Sequence, residues 1–86
     1  MAWVVYMLKC ADGTLYTGIC TDIERRLAEH NHSKRGARYT RSRRPVRLLA
    51  VKPFPDRSTA CKEEIRVKRL KKTLKLEWAN QAGISN

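Results

Sequence analysis

Eighty-six residues suffice for one small domain built on one core and leave no room for a second. Hydrophobic residues are 42% of the chain, too many for a disordered tail, and the longest nearly apolar run, Met1–Leu8, falls far short of the roughly 20 residues that span a bilayer. Nineteen Lys and Arg against eight Asp and Glu give a net charge of +11, and the start lacks the features of a signal peptide, so a cytoplasmic chain with no membrane segment and a polyanionic partner is expected.

Residues 3–10, Trp-Val-Val-Tyr-Met-Leu-Lys-Cys, are apolar on both alternating faces and read as a central strand covered on both sides. Ala11-Asp12-Gly13 is a turn signal, and Thr14–Ile19 is the returning strand of a hairpin. Thr21-x-x-Glu24 predicts a capping box at the start of a helix that runs to about Asn31, with Asp22 in its first turn. A basic loop follows and closes at Arg44-Pro45.

Val46–Val51 reads as a third strand whose far end is bounded by Pro53 and Pro55. Ser58 is placed as the cap of a long helix reaching about Leu70. Thr73 opens a short helix ending near Gly83, in which Leu74, Leu76 and Trp78 are expected to close the core. The order ββαβαα predicts an α+β fold, a three-stranded antiparallel sheet flanked by helices.

Cys10, Cys20 and Cys61 are odd in number and show no CxxC spacing, which points to reduced thiols packed as small hydrophobes. His30 and His32 are too few and too close to complete a tetrahedral zinc site with them.

The positive charge concentrates in Lys34, Arg35, Arg38, Arg41, Arg43, Arg44 and Arg47, with no acidic residue among them. A surface that only keeps a protein soluble mixes its signs. Arginine dominance favours phosphate, because guanidinium offers paired donors. This segment is therefore expected to clamp a nucleic-acid backbone through Lys34, Arg35, Arg38, Arg41, Arg43 and Arg44, with Tyr39 free to stack on a base.

Val4-Val5-Tyr6, followed ten residues later by Tyr16-Thr17-Gly18, resembles the paired signature of the GIY-YIG nuclease superfamily. The helix Thr21–Asn31, with Arg26 and His30, looks like that superfamily's first helix. Gly36-Ala37-Arg38-Tyr39-Thr40-Arg41 and Arg43-Arg44-Pro45 are similar to its small single-domain, YhbQ-like branch, which also resembles the structure-specific resolvase nucleases. The resemblance covers about residues 3–72. Its departures, Val-Val in the first triplet and Thr17 in the second, spare both tyrosines and Gly18. Asn80 is the one candidate for a late asparagine of larger members and receives no role.

The resemblance implies a site of Tyr6, Tyr16, Arg26, His30 and Glu64, with Glu64 holding one divalent cation, Mg²⁺ or Mn²⁺. Helical stepping of about 100° per residue places Glu64 near the middle of an apolar stripe with Ala60, Cys61 and Val67, while Glu63 points to solvent with Lys62, Arg66 and Arg69. A carboxylate on a core face calls for a partner, here a metal or Lys68 at i+4. Arg26 and His30 flank the buried stripe of Ile23 and Leu27, whereas Arg25 lies opposite. The tyrosines share a face only if the hairpin loop is a three-residue G1-bulge turn, which pairs Thr14 with Cys10, Tyr16 with Leu8 and Gly18 with Tyr6. Gly18 would then let a phosphate or metal approach the backbone.

The expected activity is hydrolysis of DNA phosphodiester bonds, directed by structure or single strands, in repair or recombination. Tyr6, with Tyr16 or His30 alongside, orients or deprotonates the attacking water, and Arg26 neutralises charge on the phosphate. The alternative is a non-catalytic nucleic-acid-binding module of the same fold, and RNA is a third possibility.

Overall fold

The apolar run at the start of the chain forms β1 (Trp3–Lys9), and its paired apolar faces place it in the middle of the sheet. The structure is a computed structural model that describes residues 2–82. After β1 come β2 (Leu15–Cys20), α1 (Ile23–His32), a single turn α2 (Arg38–Arg41), β3 (Arg47–Phe54), α3 (Arg57–Lys68) and α4 (Lys72–Ala82). The sheet is antiparallel throughout, in the order β2-β1-β3. This is the expected α+β architecture with one addition, the α2 turn inside the basic segment. No helix among the described residues is long and apolar enough to cross a membrane.

Alternation along β1 divides the core in two. Val5 and Met7 pack with Ala50, Ala60, Val67, Trp78 and Ala79 on the side covered by α3 and α4. Tyr6 and Leu8 face the other way, with Cys10, Val46, Tyr16, Cys20, Ile23 and Leu27, on the side covered by α1.

The hairpin has the three-residue loop. Gly13 has φ +84°, the Cys10 amide donates to the Thr14 carbonyl at 2.9 Å, and the Gly13 amide donates to the Cys10 carbonyl at 3.0 Å. Leu8 consequently pairs with Tyr16 and Tyr6 with Gly18. Both tyrosines lie on the α1 face. Gly18 has a different purpose from the one expected. A Cβ at that position would lie 2.5 Å from the Tyr6 hydroxyl oxygen and 2.6 Å from Cζ, so the Tyr6 ring occupies the space, leaving none for a ligand.

Several boundaries differ from the sequence reading. Asp22, not Thr21, caps α1, with Oδ1 accepting the Arg25 amide at 3.1 Å. Asp56, not Ser58, caps α3 and accepts the Thr59 amide at 2.8 Å. In both places two competent caps stand close together, and the carboxylate wins because it also meets the positive end of the helix. β3 continues through Pro53 to Phe54, which an edge strand tolerates.

In α4, Trp78 and Ala79 are buried but Leu74 is 45% and Leu76 is 39% exposed. Leu76 and Trp78 stand about 200° apart around the helix, so the larger side chain takes the core. Glu63 is not in solvent either. The Trp78 indole donates to its Oε2 at 2.9 Å and Arg66 forks onto both oxygens at 2.7 and 2.9 Å, holding the carboxyl down at about 2. Burial of that flank is set by α4 packing beside α3, which helical stepping alone does not reveal.

Gly18→Ala is expected to displace the Tyr6 ring and to cost about 1–3 kcal/mol of stability as an overpacked core position. Chemical denaturation of the wild type and the variant measures it, and an unchanged midpoint would exclude the close packing described.

Candidate active site

Tyr6 and His30 meet in the interior between β1 and α1. They are 1% and 0% exposed, and the Tyr6 hydroxyl lies 2.7 Å from His30 Nε2. The other ring nitrogen, Nδ1, is 2.8 Å from Thr40 Oγ1, itself fully buried. The Thr40 hydroxyl donates to the Ala37 carbonyl at 2.9 Å. With its single proton used there, Thr40 Oγ1 accepts from Nδ1–H, which leaves Nε2 to accept the Tyr6 proton.

Burial governs the charges of this pair. It pulls the His30 pKa down to about 4, and the charges of Arg26 and Arg44 act in the same direction against Glu29. It pushes the Tyr6 phenol up, with the Arg26 guanidinium alongside opposing the shift. Both groups are therefore neutral at pH 7 and form an uncharged chain from Tyr6 through His30 to Thr40.

Tyr16 stands beside them, half-buried, its ring centre 6.4 Å from that of Tyr6 and 5.2 Å from that of His30. Arg26 is reached from α1, its side chain 26% exposed. Its Nη1 donates to Glu29 Oε1 at 3.1 Å and to the Arg35 carbonyl at 2.8 Å. Arg25, 69% exposed, points away as expected and pairs with Glu29 at 3.5 Å.

Glu64 does not join this hydrogen-bonded cluster. Its helix covers the opposite side of the sheet, with Ala60 and Val67 in the core there. The carboxylate is half-buried, 19% exposed, and pairs with Lys68 at 3.3 Å, the bland alternative to a metal. Lys68 Nζ in turn lies 5.9 Å from the centre of the Tyr16 ring. Among the described residues no three His, Cys, Asp or Glu side chains converge as a metal cage. A lone carboxylate could serve only a hard ion that otherwise keeps waters and phosphate oxygens, as Mg²⁺ or Mn²⁺ does.

The basic segment divides into two groups. Lys34, Arg35, Arg38 and Arg41 are exposed. Arg44 is instead used inside the fold, donating to the backbone carbonyls of His30, Ser33 and Glu29 at the C-terminal end of α1. Arg43 bonds Asp12 at 3.1 Å and the Tyr39 carbonyl at 2.9 Å, with its guanidinium 3.8 Å from the Tyr39 ring centre. Tyr39 also stacks on Tyr16 at 5.9 Å. The ring expected to wait for a base is therefore already engaged by two neighbours.

Sequence reasoning missed Glu29, Asn31 and Thr40 as supports of the site, whereas Lys68 pairs with Glu64 as the i+4 spacing suggested. Glu29 at i+3 from Arg26 was the one visible signal. Asn31 clamps α1 to the chain entering β3, donating to the Val46 carbonyl at 2.9 Å and accepting its amide at 2.7 Å. Asn80 is exposed on α4.

Two tyrosines from one hairpin thus stand with an arginine and a histidine from the next helix on one face of a three-stranded sheet. The chain belongs to the GIY-YIG family, whose profile, described as the GIY-YIG catalytic domain, matches residues 2–77. It is 56% identical over 86 residues to a UPF0213 protein of Desulfotalea psychrophila, covering 98% of this chain and 78% of that one. A UPF0213 protein of Cupriavidus necator is 49% identical over 80 residues, covering 93% and 86%. Among solved structures, a UPF0213 protein from Bacillus halodurans is 42% identical with a TM-score of 0.61, covering 96% of this chain and 87% of that one. A protein from E. faecalis gives 40% and 0.66, covering 94% and 85%.

The buried imidazole makes stability depend on pH. Unfolded, His30 binds a proton below about 6.5; folded, it resists until about 4. The unfolded state therefore gains protons first as the pH falls, and stability is lost between those values, on the order of 3 kcal/mol in all. Denaturation midpoints at pH 7, 5.5 and 4 should fall for the wild type, and His30→Gln should flatten that dependence.

Proposed function

We propose that the protein is a DNA endonuclease that hydrolyses internal phosphodiester bonds. The observation that carries this reading is the buried Tyr6–His30 hydrogen bond at 2.7 Å beside Tyr16 and Arg26. A Mg²⁺ or Mn²⁺ ion held by Glu64 would supply Lewis-acid polarisation of the scissile phosphate and stabilisation of the leaving oxygen.

The chain's own groups handle the proton and the phosphate charge. Arg26, held by Glu29 and the Arg35 carbonyl, bonds the non-bridging oxygens, on which charge grows in the transition state. Tyr16, the more accessible phenol, orients the attacking water. As the water oxygen bonds to phosphorus, its proton passes to the Tyr6 oxygen and the Tyr6 proton passes to His30 Nε2. The P–O3′ bond then breaks with its electron pair on O3′. Relaying the proton avoids a free tyrosinate, which burial of Tyr6 disfavours. The phosphate's negative charge raises the proton affinity of His30 at the moment it is needed.

A domain this small has little surface for reading a long base sequence, so selection by DNA structure or by single strands fits it. That selectivity suits repair or recombination. The free cysteines suit a reducing, cytoplasmic setting.

Metal-dependent nicking on single-stranded, duplex and branched DNA tests the reading. Tyr6→Phe and Arg26→Ala should each slow cleavage by about 10²–10³-fold, and Glu64→Ala by at least about 10²-fold, with binding retained. Cleavage that survives Glu64→Ala removes the carboxylate from the chemistry. Tight, salt-sensitive binding with no cutting on any substrate favours the binding module.

A further inference from the structure

The chain carries a second one-sided run that the nuclease site does not absorb. Between Glu64 and Glu77 stand Arg66, Lys68, Arg69, Lys71, Lys72 and Lys75 with no acidic residue. Arg66 is engaged by Glu63, but Lys68, Arg69, Lys71 and Lys72 are exposed and Lys75 is half-buried. A merely solvated junction between two helices would mix its signs.

Position turns this charge into a surface. Lys72 Nζ donates to the Gly13 carbonyl at 2.9 Å, tying the α3–α4 junction to one side of the hairpin tip. From the other side the basic loop grips the same tip, with Arg43 on Asp12 at 3.1 Å and the Ala11 amide on the Arg43 carbonyl at 2.9 Å. Tyr16 is flanked likewise, by Tyr39 of the loop at 5.9 Å and by Lys68 of α3 at 5.9 Å. The hairpin thus lies between two basic segments that both touch the site. The loop alone offers fewer free cations than its sequence suggests, because Arg44 is used on carbonyls and Arg43 on Asp12.

We propose that the α3–α4 junction is the second half of the DNA-binding surface, and that a strand crosses the hairpin with phosphates held on both sides of the scissile bond. The loop holds one side through Lys34, Arg35, Arg38 and Arg41, and the junction holds the other through Arg69, Lys71 and Lys75. The direction of the strand across Tyr16 rests on the nuclease reading, whereas the binding surface does not.

The test measures binding of a 20-nucleotide single-stranded DNA without divalent metal over a range of salt. Arg69→Gln/Lys71→Gln and Arg38→Gln/Arg41→Gln should each lower the log–log salt slope by about 1.4, from about 0.7 per phosphate contact. Each should also weaken binding about tenfold at low salt. The charge-matched control Lys52→Gln/Lys62→Gln, at exposed positions on β3 and α3, should change affinity by less than twofold. A junction variant that behaves like the control overturns the proposal, as does tighter binding of RNA of the same length. With Mg²⁺ added, wild-type cleavage should fail when the bond lies within two nucleotides of either end. Efficient cutting there overturns the two-sided surface. Loss of slope without cleavage of any substrate sinks the nuclease reading alone, while cleavage with an unmoved slope sinks this surface alone.

Discussion

A phenol and an imidazole, bonded to each other in the interior, set the terms for everything around them. A buried polar pair is costly unless every donor and acceptor finds a partner, and among the described residues no buried side-chain polar atom lacks one. Satisfying that condition recruits elements far apart in the chain. The hairpin loop sets the parity that brings Tyr16 beside Tyr6, and Gly18 leaves room for the ring. Gly36 allows the loop to close on α1, since a Cβ there would lie 2.7 Å from the Glu29 carbonyl. That closure delivers Thr40 to the far side of His30.

The arginines show why a charge count is an incomplete guide to a binding surface. Arg44 sits in the most basic part of the chain and serves the backbone, donating to the carbonyls of His30, Ser33 and Glu29 at the end of α1. Arg43 joins the loop to the hairpin and braces the Tyr39–Tyr16 stack. Their charge still adds to the field that draws in a polyanion. Their donors, though, are committed to the fold, and the cations free for phosphate lie on either side of them.

Much of this was legible in the residues. The two-faced apolar run fixed β1 as the central strand, Ala11-Asp12-Gly13 fitted the three-residue turn on which the register was conditional, and the stripe of Ile23 and Leu27 separated Arg26 from Arg25. The caps slipped by one or two residues because Thr21 and Asp22, like Asp56 and Ser58, are all competent. Glu63 was misjudged because Trp78, fifteen residues on, covers it alongside Arg66 of its own helix. Thr40 gave no signal at all: its contact with His30 depends on how an irregular segment folds back. The inward turn of Glu64 was readable from helical stepping, but which side of the sheet α3 covers was not.

The rim of the sheet away from the tyrosines has its own logic. β3 is an outer strand, and Pro53 within it lacks an amide hydrogen while Arg47 and Lys52 put like charges along it. A strand from another molecule arriving at that rim meets a gap in the ladder and electrostatic repulsion together. The protein can thus carry an open sheet and a high positive charge without inviting its copies to stack edge to edge.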